Sequence, residues 1–214
     1  MLTFASGFLM GLTLIVAIGA QNVFVLRQGL RREQVGPVVA ICAASDAVLI
    51  LLGVAGLGWL VQSAPWLVDA ARWGGAAFLL GYAALAARRA VSPTAAGLNV
   101  AVAGEEGVRT PSGVGVLTRP RAAPVVASAL ALTWLNPHVY LDTVFLLGSV
   151  AATHGGGRWV FAAGAVTASL VWFTALGFGA RGLGRWLRGP RAWRILDGGI
   201  AVVMVALALS LVRG

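Results

Sequence analysis

From Leu2 to Leu26 the chain carries no charged residue. A helix of about 20 mainly apolar residues crosses the hydrocarbon core of a bilayer, so this run is long enough to span. Five more runs of similar kind follow: Gly36 to Val61, Pro65 to Ala87, Ala122 to Leu141 running on to Ala152, Trp159 to Ala180, and Trp193 to Val212. Hydrophobic residues make up 59% of the chain and charged residues 11%, too little polar surface to coat a water-soluble globule. The reading is an integral membrane protein with six spans; a soluble enzyme, a nucleic-acid-binding domain and a disordered regulator are set aside. Ala17-Ile18-Gly19-Ala20 looks like a signal-peptide cleavage site. No basic residue precedes the apolar run and the run continues past the site, so the segment is expected to remain as a span.

Residue counts exclude more. The net charge of +9 comes from 16 Arg and no Lys. Without Lys there is no Walker A loop and no Schiff-base lysine. One Cys, Cys42, and two His supply neither an internal disulfide nor the usual zinc cluster. No cofactor, resident metal or nucleic-acid partner is expected.

The arginines set orientation. With six spans, the 1–2, 3–4 and 5–6 loops share one side and hold, with their flanks, 13 Arg; the other side holds only Arg72, Arg158 and Arg213. The positive-inside rule then puts the 3–4 loop in the cytoplasm and both termini outside. That loop is rich in Ala, Gly, Val, Pro and Ser and reads as a linker. The expected division is a first three-helix repeat over 1–90, a cytoplasmic linker over 91–121 and a second repeat over 122–214.

The repeat is visible in the residues. Ala44-Ser45 and Gly53 match Ala168-Ser169 and Gly177, and Gly74-Gly75 matches Gly198-Gly199, all at one offset; Asn22 matches Asn136 at an offset ten residues shorter. Each match alone is common in apolar sequence, and the shared offset carries the reading. Three spans per repeat is odd, so the second repeat is inverted, as in many secondary transporters. The expected fold is all-α: six transmembrane helices as two inverted three-helix repeats with broken first helices.

Polar groups at membrane depth mark the candidate site. An acid near a helix centre costs about 2.5–3.5 kcal/mol to insert, so intramembrane acids are functional candidates by default. Asp46 lies eleven residues into the second span, and the structural alternative is an acid paired for packing. In Asn136-Pro137-His138-Val139-Tyr140-Leu141-Asp142, Pro137 removes an N–H and clashes with the Thr133 carbonyl, which breaks the helix. The freed backbone must line a cavity or be re-satisfied by protein. His138 and Asp142 share a face beyond the break; for His138 the packing reading is the simpler one. Gly19-Ala20-Gln21-Asn22 suggests a second break in the first span. Asp197 reads either as a helix-dipole partner or as a substrate group. Trp66, Trp73, Trp159, Trp172, Trp186 and Trp193 read mostly as an interfacial belt.

These residues resemble a known family, the LysE/ArgO basic amino acid exporters of the LysE superfamily. The resemblance rests on Gly19-Ala20-Gln21-Asn22-Val23-Phe24-Val25-Leu26-Arg27-Gln28-Gly29 with Arg31-Arg32-Glu33, on Ser45-Asp46, on Arg72-Trp73-Gly74-Gly75, and on Leu132 through Asp142. It covers nearly the whole chain outside the 3–4 loop. The family usually carries Pro where Ala20 stands, so a break in the first span would rely on Gly19 and tertiary context. The resemblance implies export of L-lysine, L-arginine or a close relative across the bacterial cytoplasmic membrane, driven by the electrochemical gradient, with no enzymatic step. Asp46 and Asp142 would then meet the cationic side chain, and Gln21, Asn22 and Asn136 the amino acid backbone. Gly19, Ala20 and Pro137 would form the helix breaks, and His138, Asp142 and Asp46 are the groups available for proton coupling. A coupling ion and membrane lipid are the other implied partners, and a homodimer is compatible with the sequence. The alternatives are an exporter of neutral amino acids or of a metal ion on the same fold, an intramembrane enzyme, and a passive scaffold. Two buried acids argue against neutral substrates, and the sparse carboxylates against a divalent cation.

Overall fold

The computed structural model describes residues 1–17, 19–57, 65–91, 122–183 and 190–213. Nearly all of the 3–4 linker, together with Arg185, Trp186 and Arg188, lies outside them. Among the described residues the secondary structure is helical throughout. Helix α1 is Leu2–Val16, α2 Ala20–Arg31, α3 Val35–Leu52, α4 Pro65–Val91 and α5 Ala122–Trp134. A second arm then follows: α6 Pro137–Val139, a wide π-helical stretch Tyr140–Leu147, and α7 Gly148–Ala152. Helices α8 Arg158–Leu183 and α9 Pro190–Arg213 complete the chain.

Three described helical segments are each long and apolar enough to cross a bilayer: Val35–Gly56, Gly155–Gly182 and Arg191–Arg213. The pair α1 and α2, bent by 81°, makes a fourth if it counts as one span. The outside of the bundle is apolar. Leu9, Val48, Leu80, Leu130, Val171, Val202 and Leu209 are all exposed, while Arg27, Asp46 and Asp197 are buried. That is the inverse of a water-soluble surface, and it suits lipid on the outside.

Lipid tails are as apolar as leucine, so helix association within a membrane relies on close packing, and small residues permit it. Glycine supplies it here. A Cβ on Gly7 or Gly164 would collide with backbone of the facing helix, and one on Gly11 would sit 2.9 Å from the Ala165 Cα. These contacts fasten α1 to α8, which run parallel: Gly7 meets Phe161 and Gly11 meets Ala165. Further along, Gly29 of α2 presses on the Gly177 carbonyl of α8. The second arm repeats the device, with Gly148 against Gly53 at the end of α3. Helices α4 and α9 are antiparallel. Arg72 near the start of α4 donates to the Leu211 and Val212 carbonyls at the end of α9, at 2.7 and 2.6 Å. Arg194 near the start of α9 donates to the Ala90 carbonyl at the end of α4, at 2.7 Å. Each guanidinium satisfies carbonyls that a helix end leaves unpaired.

Asp197 lies two turns inside α9, beyond the reach of the helix dipole, and it is absent from the cavity lining described below. Its Oδ1 instead pairs with the Arg27 Nε at 3.0 Å and the Arg89 Nε at 3.5 Å. The Arg89 guanidinium also stands over the Tyr82 ring, 5.7 Å from its centroid. The sequence offered a dipole partner or a substrate group; the structure makes Asp197 a buried clamp joining α2, α4 and α9.

Candidate functional site

Both expected breaks are present. Helix α2 starts at Ala20 with Gly19 as its N-cap, and α6 starts at Pro137 with Asn136 as its N-cap. Pro at the first helical position suits its missing N–H. The Asn136 Oδ1 accepts from the His138 N–H at 3.1 Å, an ordinary side-chain cap. Of the carbonyls freed before Pro137, that of Thr133 accepts the Asn136 N–H at 3.3 Å. That of Trp134 accepts the Tyr140 hydroxyl at 2.7 Å. The Leu135 carbonyl lies against the Cα of Gly75, where a Cβ would collide with it.

The first break is held differently. Gly19 has φ −121° and ψ 171°, extended backbone open to any residue, so glycine's special freedom is not what makes the turn. Asn22 makes it. Its Nδ2 reaches back to the Ile15 and Ala17 carbonyls, both at 2.8 Å, and its Oδ1 accepts from the Trp172 indole N–H at 3.2 Å. One amide thus ties the end of α1, the start of α2 and helix α8 together. Trp172 is therefore not part of an interfacial belt. Asn22 and Asn136 also differ in helix position: Asn136 is the cap itself, whereas Asn22 is the third residue of α2. By helix position Gly19 corresponds to Asn136, and Ala20 to Pro137.

Between the two breaks lies a cavity of about 250 Å³. Gly19, Ala20, Gln21, Asn22, Asp46, Asn136, His138 and Asp142 all line it; Pro137 does not. Much of the remaining wall is apolar, including Leu14, Ile15, Phe78, Leu79, Phe173 and Leu207. Asp46 is buried and accepts from the Ser169 hydroxyl at 3.0 Å. No cation pairs with Asp46 or Asp142 among the described residues. Gln21 sits beside Cys42 and Asp46, but its buried Nε2 finds no partner within hydrogen-bonding distance. Asp142 is half-buried within the π-helical stretch, and His138 is exposed on the cavity wall. His138 is thus not the packing residue that its simpler reading suggested. The N–H groups of Gln21 and Asn22 have no acceptor within α2, since the first turn of any helix lacks them.

In the sequence Ser169 is visible only as a repeat match and Trp172 reads as part of the belt. Ser45 is a third such case: its hydroxyl accepts from the Trp134 indole N–H at 3.2 Å. A tryptophan within a span rather than at its end was the available signal, because a buried indole N–H needs a partner.

Broken helices meet at a mainly apolar cavity that holds two acids and three amides, and residues 12–214 match the model of the LysE type translocator family. The chain belongs to that family and is a multi-pass membrane protein. It is 42% identical to the lysine exporter LysE of Corynebacterium efficiens over 222 residues, covering 98% of this chain and 97% of that one. It is 48% identical to a putative amino-acid transporter of Mycobacterium tuberculosis over 198 residues, covering 92% and 90%. With the arginine exporter protein ArgO of Pectobacterium carotovorum the identity is 40% over 211 residues, covering 98% and 96%. No solved structure matches the chain.

Proposed function

We propose that this chain exports basic L-amino acids, lysine, arginine or both, from the bacterial cytoplasm as a secondary transporter. The observation that carries the reading is one cavity holding two carboxylates with no cation on either, next to the start of a helix. A lysine or arginine is a zwitterion with a further positive charge. Its side chain meets Asp46 and Asp142, and its α-carboxylate meets the N–H groups of Gln21 and Asn22 in the first turn of α2, where the helix dipole favours an anion. Asn136 and the Gln21 amide complete the contacts to the amino acid backbone. The names of relatives in both the lysine and the arginine exporter groups support the substrate class.

Carrying one positive charge outward against an inside-negative potential costs about 2.3 kcal/mol per 100 mV. A coupling ion offsets that cost, and His138, Asp142 and Asp46 are the groups in the cavity able to carry a proton.

The architecture that suits this work is six alternating spans in two inverted repeats. Parallel α1 and α8, antiparallel α4 and α9, and the twin glycine contacts Gly29–Gly177 and Gly148–Gly53 support it. So do the reciprocal arginine caps of Arg72 and Arg194. With the arginine-rich ends of α2, α4 and α8 in the cytoplasm, both termini lie outside. The test is purified protein in proteoliposomes: labelled lysine and arginine should exchange across the membrane and labelled leucine should not. Exchange of leucine at the lysine rate would replace this reading with a neutral amino acid exporter.

A further inference from the structure

Two hydrogen bonds from one helix hold two residues of the cavity wall, Asp46 and Asn22. The Ser169 hydroxyl of α8 donates to the Asp46 carboxylate at 3.0 Å, and the Trp172 indole N–H of α8 donates to the Asn22 amide oxygen at 3.2 Å. Positions three apart share a helix face. Phe173, next in the chain, is buried and forms cavity wall. Helix α8 is itself fixed, because the contacts of Gly7, Gly11 and Gly164 seat it on α1 and Gly177 receives Gly29 of α2. One face of α8 therefore holds both the acid of α3 and the amide at the start of α2. Ser169 is fully buried, so its hydroxyl has no solvent role to play.

We infer that Ser169 and Trp172 are positioning residues that fix the length of side chain the site accepts. The inference rests on the exporter reading above. On that reading a substrate whose carboxylate lies at the start of α2 places its cationic end between Asp46 and Asp142, and Asp46 is the acid that α8 holds. Ornithine, lysine and arginine offer that cation at increasing distance from the same backbone. A rigid spacing favours one of them, and a loosened spacing accepts all three more evenly. One methylene in a well-fitted site is worth roughly 10–200-fold in discrimination.

The experiment compares KM for ornithine, lysine and arginine in proteoliposomes holding wild type, Ser169→Ala, Ser169→Thr or Trp172→Phe. Wild type should prefer one chain length. In Ser169→Ala and Trp172→Phe the ratio between the best and worst substrates should shrink by about tenfold. Ser169→Thr, which keeps the hydroxyl, should retain the wild-type ratio. A purely structural role predicts the same proportional loss for every substrate, and that result overturns the inference, as do unchanged ratios or a wild type without length preference. Thermal unfolding of each purified variant with each amino acid added gives the same ratios without transport, so a variant with slow turnover is still scored. If wild-type protein moves none of the three, the exporter reading fails and the length selection fails with it; if it moves them and the ratios stay fixed, only the length selection fails.

Discussion

At the scale of single residues, the cavity is built by side chains that spend their hydrogen bonds on backbone. Asn22 is the clearest: both of its amide atoms are engaged, with two carbonyls and an indole. Asn22→Ala removes the part-buried bond to Ile15 and the exposed bond to Ala17, each worth about 0.5–1.5 kcal/mol. The variant should unfold earlier in detergent and lose export of every substrate alike. Wild-type melting would show that the break holds without it. Ala20 gives the opposite case. It stands first in α2, where proline is favoured, and Gly19 before it already has the extended backbone that proline demands. Ala20→Pro should therefore be accepted and raise stability by about 0.4–1 kcal/mol, measured by the same unfolding assay. Asp46, Asn136 and Asp142 were legible in the sequence because an acid or amide inside an apolar run has few explanations. The partners that hold them were not. Ser169 and Trp172 lie more than a hundred positions from Asp46 and Asn22, and a lone Ser or Trp in an apolar helix carries no mark of its partner.

At the scale of helices, close approach and buried charge fix the arrangement. Gly75 brings α4 onto the open Leu135 carbonyl at the second break. Gly75→Ala forces the two apart, so it should destabilise the fold by about 1–3 kcal/mol and impair export. Gly36→Ala, where nothing lies within 4 Å of the added Cβ, serves as the neutral comparison. The Arg27–Asp197–Arg89 clamp behaves as buried ion pairs do: removing one partner leaves uncompensated charge and costs about 3–5 kcal/mol. Asp197→Asn should therefore show a larger loss of stability than Asp46→Asn, since Asp46 has no cation to leave behind. Equal losses would remove the clamp from the account. The Pro137 break was readable from the residue alone, because the missing N–H and the ring clash act locally. The Gly19 break was readable only as a place; its mechanism depends on how Asn22 folds back, which is a tertiary fact.

At the scale of the whole molecule, the sequence marks six apolar runs, and three described helical segments, or four with the bent α1–α2 pair, are long and apolar enough to cross a bilayer. The weakest sequence signal was the exchange of contacts between halves. Gly53 and Gly177 match by offset, but their partners Gly148 and Gly29 are related by a different offset, as a length difference within the second half requires. A reporter fused at Gly104 should read cytoplasmic and one fused after Gly214 external; a cytoplasmic C-terminus would contradict six spans. Selection of a cationic amino acid falls to the two carboxylates of one cavity, buried Asp46 and half-buried Asp142. Its most direct measurement is exchange of labelled lysine and arginine in proteoliposomes by wild type and by Asp46→Asn, a near-isosteric loss of one charge. Wild type should exchange both amino acids and the variant should lose that exchange, with both proteins inserted and equally folded. Undiminished exchange of both amino acids by Asp46→Asn would contradict it.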